Sequence, residues 1–508
     1  MHRQITALLT ACSFASIAAA GGVVHRTDGE LDDWLFVAPV AVDPSGDASD
    51  NFDLTSLSLA NEGARLFLQF DTSVVRNLQS GSSSDGDLII TITLPSAQAL
   101  TLDLRDRNAW LGSPANSQNW LDLDWTTAPT YAADLFEAQV DLGAVGVEQG
   151  DTISVAFSGS DSFDSGPVSY TMTGAAVTPL RRSPDKLPGT TFRVASINTE
   201  FGGLIGGVRQ AALKRMIDGV DAHVYCFQEE WDNNPSAIEA VIEDTDPLED
   251  GADWSVYQNS GEVICARGTI IPLNELSSRY AAAIVEPVAG QPLLVLSAHL
   301  KCCGYINSSE DAQRISQANA MAQTIASVRN APPGSALEPY KDAPVVVVGD
   351  YNLVGSEEPV SILTGLPAPD LRRWVLPHLI GESITTWRDA GSSFWPGTLD
   401  VLTHSKDLVR RNGFVLETGE LDSAEAAALG VLQVDSLLAT DHLMLVADFG
   451  VTPAADINGD CVVDTADLGI VISEFLTAGP LGSDLNGDGI VDTADLGILI
   501  EAFGTGCE

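Results

Sequence analysis

Polar residues recur where apolar runs stop. Asn198 closes Phe192-Arg193-Val194-Ala195-Ser196-Ile197, Glu229 follows Val224-Tyr225-Cys226-Phe227-Gln228, and His299 closes Leu293-Leu294-Val295-Leu296-Ser297-Ala298. Asp350 and Asn352 follow a run of valines at 345–348, Asp400 stands within Thr398-Leu399-Asp400-Val401-Leu402, and Asp441-His442 precede Leu443-Met444-Leu445-Val446. A single carboxylate or imidazole at a strand end is usually a cap. A set at successive strand ends is different, because neighbouring strands deliver their ends to one edge and so to one pocket. Carboxylate and amide oxygens suit a hard divalent cation, and an imidazole oriented by a carboxylate suits proton transfer. A second constellation closes the chain. Asp456, Asn458, Asp460, Asp464 and Asp467 fall at positions 1, 3, 5, 9 and 12 of a loop, with the Val462 carbonyl at position 7. The pattern returns 28 residues later as Asp484, Asn486, Asp488, Asp492 and Asp495, with the Ile490 carbonyl at position 7. Oxygen ligands at this spacing wrap one Ca²⁺ per loop, two in all.

Three blocks of different composition must carry these residues. Residues 21–178 hold short strand-like runs at 66–70, 88–94 and 152–157 separated by Gly, Ser, Asp and Asn, which predicts an all-β sandwich. Residues 188–450 alternate strands with helical periodicity at 208–220 and 311–329, where Ile315, Ala318, Ala322 and Ile325 form the apolar stripe. The uninterrupted valine strand is expected to be buried on both faces, so this block reads as α/β with helices outside packed sheets. Residues 454–508 are the repeated loop–helix units, with 11 acidic residues and no Lys or Arg. Proline-containing seams at 178–184 and 451–454 separate the blocks.

The 508 residues carry 25 Lys+Arg against 70 Asp+Glu, a net charge of −45. That excludes binding nucleic acid through a basic face and disfavours an anionic membrane surface. It leaves open an enzyme that meets phosphate through metal ions. Met1-His2-Arg3, an apolar stretch and Ala18-Ala19-Ala20 have the layout of a secretory signal peptide over 1–20. With no later run long enough to span a bilayer, a secreted protein is expected, with surface tethering through the C-terminal module. Cys12 leaves with the leader. Among the other six cysteines, Cys461–Cys507 and Cys226–Cys265 are candidate bridges, and Cys302-Cys303 either form a vicinal bridge or stay free.

Ser196-Ile197-Asn198-Thr199, Cys226-Phe227-Gln228-Glu229, Ser297-Ala298-His299-Leu300, Gly349-Asp350-Tyr351-Asn352, Leu399-Asp400-Val401-Leu402 and Thr440-Asp441-His442 together resemble the endonuclease/exonuclease/phosphatase superfamily, in the family's order. The resemblance implies a four-layer α/β sandwich and a phosphoesterase that uses Mg²⁺ or Mn²⁺. It implies Glu229 as principal metal ligand with Asn198 and Asp441, and His442 oriented by Asp400 as general base. It further implies Asp350 positioning the nucleophile, with Asn352 and His299 holding phosphoryl oxygens. The doubled loops, with Asp at position 12 in place of the Glu of an EF-hand, look like a type I dockerin, which implies a cohesin-bearing partner. Thr27-Asp28-Gly29-Glu30-Leu31-Asp32-Asp33-Trp34, followed by Leu66-Phe67-Leu68-Gln69-Phe70-Asp71, resembles family 9 carbohydrate-binding modules. Trp110, Trp120 and Trp125 then either stack on sugar or fill the core. The leading expectation is an extracellular nuclease. A phosphatase or sphingomyelinase-like lipid phosphodiesterase on the same fold is the rival, and exposed aromatic or apolar loops beside the pocket would favour the lipid reading. A non-catalytic glycan-binding, scaffold-tethered protein is the third reading.

Overall fold

The computed structural model describes residues 25–505 apart from 31, 49–51, 80–85, 249–252, 274–278, 366–368, 451–454, 459–461, 478–481 and 487–488. The expected leader, the Cys461–Cys507 bridge, Asp460 and Asp488 lie outside the described residues.

The first block folds as expected into two antiparallel sheets. One is ordered β1 (Ala41–Val42), β2 (Leu54–Glu62), β3 (Arg65–Arg76), β9 (Ala133–Asp141), β8 (Thr126–Ala128). The other is ordered β11 (Val168–Thr171), β10 (Thr152–Gly159), β4 (Leu88–Thr93), β5 (Ala99–Asp103), β6 (Asn108–Leu111), β7 (Ser117–Gln118). Period-two alternation puts Leu66, Leu68 and Phe70 of one sheet against Ile90, Ile92, Ile153 and Val155 of the other. Trp120 and Trp125 are buried in this core, so neither is a sugar platform; Trp110 is half-buried on β6.

The middle block is a sandwich of two six-stranded mixed sheets. The first runs β14 (Trp254–Asn259), β15 (Glu262–Arg267), β13 (Val224–Gln228), β12 (Phe192–Asn198), β23 (Met444–Gly450), β22 (Val409–Leu416). The second runs β16 (Ile270–Pro272), β17 (Tyr280–Val288), β18 (Gln291–His299), β19 (Val345–Asp350), β21 (Asp400–Ser405), β20 (Leu371–Arg373). Val194, Cys226 and Ala447 face Val295, Val346 and Leu402 between the sheets. Helices α1 (Gly207–Val220) and α2 (Pro235–Thr245) cover the outer face of the first sheet, and α3 (Ser309–Arg329) and α4 (Glu358–Thr364) that of the second. Four layers result, with every residue of β19 buried as the valine run predicted.

Cys226 and Cys265 do not pair. They lie on neighbouring strands, but Cys226 belongs to the core between the sheets and Cys265 to the core under the helices. Side chains one register apart point to opposite faces, so no bridge can form. Cys302 and Cys303 are free, with sulfurs 3.0 Å apart. Short helices α5 (Ser423–Leu429) and α6 (Asp435–Ala439) precede β23.

In the last block, α7 (Thr465–Glu474) and α8 (Thr493–Ala502) each open on a capping box made by the repeated aspartates, Asp464 with Asp467 and Asp492 with Asp495. Asp467 also accepts the backbone N–H groups of Ile457 and Asn458, and Asp495 those of Leu485 and Asn486, which folds each loop back onto its helix. Val463, Val471, Val491 and Leu499 form the small shared core. Among the described residues no helix is long and apolar enough to cross a membrane.

Candidate active site

Sheet direction gathers the polar strand ends on one edge. The parallel pair β12–β13 sets Asn198 beside Gln228, and the parallel pair β18–β19 sets His299 beside Asp350. Strands β21 and β23 run the other way, so their starts, at Asp400 and after His442, reach the same edge. Gly349 allows the close approach that this needs. Its φ is +140°, and a Cβ there would lie 2.1 Å from the Ala298 carbonyl oxygen. Beneath the site, Gln228 Nε2 donates to Ser196 Oγ at 3.2 Å and to Ser297 Oγ at 3.0 Å, which ties the two sheets together. Glu229 and Asn352 leave their strands with φ of 67° and 46°, turning their side chains inward.

The side chains form a connected set. Asn198 Nδ2 donates to Glu229 Oε1 at 3.2 Å and to Asp350 Oδ2 at 3.1 Å. Asn352 Nδ2 donates to the same Asp350 oxygen at 2.9 Å, and the Asn352 N–H to Asp350 Oδ1 at 2.8 Å. His442 Nδ1 lies 2.8 Å from Asp400 Oδ2, which fixes the ring so that Nε2 faces Asp350 Oδ2 at 3.7 Å. His299 Nε2 stands 3.7 Å from Glu229 Oε1 and 3.6 Å from Asp350 Oδ2. Asp441 is held at the rim, where the Trp387 indole N–H donates to its Oδ2 at 2.8 Å. All eight residues expected from the sequence thus stand at this edge. Asp350, Asp400 and His442 bring donor atoms within 4.8 Å of one another.

The electrostatics differ between the two imidazoles. Burial pulls His442 down, but the carboxylates of Asp400 and Asp350 outweigh it and hold it up at about 10. His299 goes to about 4, because burial dominates and the attraction of Asp350 is opposed by Arg279 and His442. Burial raises Asp350 against the lowering pull of both histidines.

Two participants were not legible beforehand. Glu262, fully buried at the start of β15, has Oε1 3.8 Å from His299 Nδ1, and burial pushes it up to about 7. Its signal was the shared one, a charged residue at the head of the apolar run Val263-Ile264-Cys265. The other is the β-sandwich, which grips the loops around the site. Asn77 Nδ2 donates to the Val354 carbonyl at 2.8 Å and its Oδ1 accepts the Ile306 N–H at 2.9 Å. Thr130 Oγ1 lies 3.0 Å from the Leu353 carbonyl and 2.9 Å from that of Thr398. Trp395 inserts fully into the sandwich core against Trp120 and Trp125. These contacts hold the chain just after Asn352 and just before Asp400.

Residues 454–504 match the family model of the dockerin type I domain. Among solved structures the chain is similar to an endonuclease/exonuclease/phosphatase from Bacteroides vulgatus, at 13% identity and TM-score 0.35, covering 51% of this chain and 98% of that one. It is also similar to the human Nocturnin catalytic domain with bound sulfate, at 16% identity and TM-score 0.33, covering 52% and 96%. A mannosyl-6-phosphatase from Bacteroides thetaiotaomicron aligns at 14% identity and TM-score 0.33, covering 51% and 99%. No curated protein matches the chain.

Proposed function

We propose that the chain is a metal-dependent phosphoesterase. The observation that carries this reading is the linked set Asn198–Glu229–His299–Asp350–Asn352 beside the Asp400–His442 pair at one sandwich edge. The donor chemistry fits a hard divalent cation. Glu229, Asp350 and Asp400, with Glu262 and Asp441 beside them, crowd carboxylate oxygens at this edge, and the Nδ2 groups of Asn198 and Asn352 steady Glu229 and Asp350. Glu229 and Asp441 would hold the Mg²⁺ or Mn²⁺, with Asn198 seconding the site by donating to Glu229. When bound, such an ion polarises a phosphoryl oxygen and offsets developing negative charge.

The chain's own residues supply the remainder. Asp400 holds His442 with Nε2 toward the pocket, where it takes a proton from the attacking water. Asp350, fixed through both oxygens by Asn352 and Asn198, orients that water. The new P–O bond forms in line with the bond to the departing oxygen. His299, neutral at pH 7 because burial lowers it, donates an N–H to a phosphoryl oxygen. Asn352, whose two Nδ2 hydrogens go to Asp350 and the Leu300 carbonyl, serves instead to fix Asp350.

For the substrate, a net charge of −45 and the apolar surface beside the pocket favour a lipid phosphodiester or a phosphomonoester over nucleic acid. The C-terminal module would bind two Ca²⁺ and tether the enzyme to a cohesin-bearing protein outside the cell. The test is Mg²⁺-dependent turnover of bis-p-nitrophenyl phosphate, p-nitrophenyl phosphate, sphingomyelin, RNA and plasmid DNA, with His442→Ala as control. Turnover that vanishes in the control supports the reading, and cleavage confined to plasmid DNA or RNA would restore the nuclease. Inactivity on all five would shift weight to the binding-protein reading.

A further inference from the structure

The β-sandwich carries a second cluster of oxygen donors, built from two loops. One leads from β1 to β2 and supplies Asp43, Asp47 and Asp53; the other leads from β10 to β11 and supplies Asp161 and Asp164. Strands β1 and β2 belong to one sheet and β10 and β11 to the other, so the cluster joins loops of facing sheets. Phe163 anchors the second loop, buried with its ring 5.4 Å from that of Phe157. Asp43, Asp47 and Asp164 bring carboxylate oxygens within 4.8 Å of one another, and so do Asp47, Asp53 and Asp161. Segments 41–54 and 159–168 contain no Lys, Arg, His or Cys.

Hydrogen bonding satisfies part of this cluster and leaves one buried atom over. Asp53 accepts the Gly46 N–H through both oxygens, at 3.0 and 2.9 Å, and Asp161 Oδ2 accepts the Leu54 N–H at 2.7 Å. Asp43 is only 6% exposed, and its Oδ1 accepts the Asp164 N–H at 2.8 Å. Its Oδ2 is buried with no hydrogen-bond partner. A buried carboxylate oxygen without a donor is costly. The side chains that Asp43 meets in the cluster, Asp47 and Asp164, are further acceptors and cannot donate to it. A cation satisfies all three. Oxygens bound to one Ca²⁺ at about 2.4 Å lie no more than about 4.8 Å apart, which agrees with the spacing of the Asp43–Asp47–Asp164 set. An all-oxygen set lacks the nitrogen and sulfur donors that zinc favours. Asp47 and Asp164 are exposed, so water can complete the shell, and a site assembled from two separate loops suits the variable geometry of Ca²⁺ better than the strict octahedron of Mg²⁺.

We propose that Asp43, Asp47 and Asp164 bind a Ca²⁺ that clamps the two sheets of the sandwich together at the side closed by the edge strands β1 and β11. Asp53 and Asp161 brace the loops that carry the three ligands. The site is separate from the C-terminal loops, and it does not depend on the phosphoesterase reading.

The test uses full-length protein, stripped of metal and dialysed against radiolabelled Ca²⁺ with Mg²⁺ in excess to fill the catalytic pocket. Wild type is compared with Asp47→Ala, with the C-terminal double variant Asp456→Ala/Asp484→Ala, and with the triple variant. Asp47 is exposed, so its removal leaves the sandwich core intact. Asp47→Ala is expected to bind one Ca²⁺ fewer per chain than wild type. The double variant should keep one Ca²⁺ that the triple variant loses. In the double variant, Ca²⁺ should raise the melting temperature by about 3 °C or more, and Mg²⁺ should not. The nearly isosteric Asp43→Asn, placed in the double variant, should abolish that rise. Equal Ca²⁺ counts for wild type and Asp47→Ala overturn the proposal, as does a rise that persists with Asp43→Asn. A rise of the same size with Mg²⁺ alone overturns calcium as the cation.

Discussion

His442 and Glu262 are both moved from their ordinary values, in ways that make different predictions. A general base works only when unprotonated, and Asp400 with Asp350 holds the proton on His442 to about pH 10. The acid limb of kcat/KM is therefore expected above the ordinary imidazole range, with activity falling as pH drops through it, and a bound divalent cation pulls it down. Asp400→Asn removes the largest favourable charge, so the limb should move to lower pH while the maximal rate falls by about 10²-fold or more. A pH–rate profile of the two proteins checks this, and an unmoved limb would exclude His442 as its source. Glu262 is raised to about 7 from 4.5. A carboxyl that holds its proton more tightly when folded lowers stability as pH rises from about 4.5 to 7, and the cost is complete above that window. Glu262→Gln should then raise the melting temperature at pH 8, with the gain shrinking toward pH 4.5. The same change should slow turnover, because His299 loses the carboxylate charge that faces its Nδ1. Thermal melts at both pH values, with kcat, separate this from a purely structural role.

At the scale of elements, β12 and β23 are held in register by a buried ion pair as well as by their ladder. Arg193 Nε and Nη2 donate to the two oxygens of Asp448 at 2.6 and 2.8 Å, with neither side chain exposed beyond 2%. Arg193 Nη1 also reaches the Pro184 and Val220 carbonyls, which closes the seam onto α1. Removing one partner leaves the other charge buried, so Arg193→Ala is expected to cost about 3–5 kcal/mol in urea unfolding. An Arg193→Met/Asp448→Leu double variant should recover most of that loss, and failure to recover would mean that the carbonyl contacts dominate. The sequence placed Arg193 inside an apolar run without showing what would neutralise it. Its partner lies 255 positions away.

Across the whole molecule, the β-sandwich is built into the candidate site rather than appended to it. Trp395 carries the loop before Asp400 into the sandwich core, and Asn77 and Thr130 fix the loop after Asn352. Trp395→Ala empties a large buried site, with an expected loss of about 3–5 kcal/mol. Because that loop leads to the carboxylate that orients His442, kcat should fall further than global unfolding explains, while circular dichroism at 20 °C stays native. A variant that is destabilised yet fully active would make the sandwich a mere neighbour. Calcium removal acts elsewhere: chelation should unfold the C-terminal repeats and leave Mg²⁺-dependent turnover in place once Mg²⁺ is restored, because α7 and α8 have their own core.

By itself the sequence determined what local pattern can encode. Period-two and fully apolar runs gave the sheets, and the 3.6-residue stripe gave α1 and α3 nearly to their ends. A 28-residue repeat gave the two loop–helix units, and polar residues at strand ends gave the eight residues gathered at the candidate site. Tertiary structure alone decided whatever depends on which faces meet. Cys226 and Cys265 were drawn apart because neighbouring strand positions point to opposite cores, and Trp120 and Trp125 were buried because Trp395, 270 to 275 positions further on, needed somewhere to pack. Glu262 came to face His299 through strand order, and α6 came to pack on α1 through the Arg215–Asp435 pair. Such pairings are set by long-range burial and register, and no short window of residues contains them.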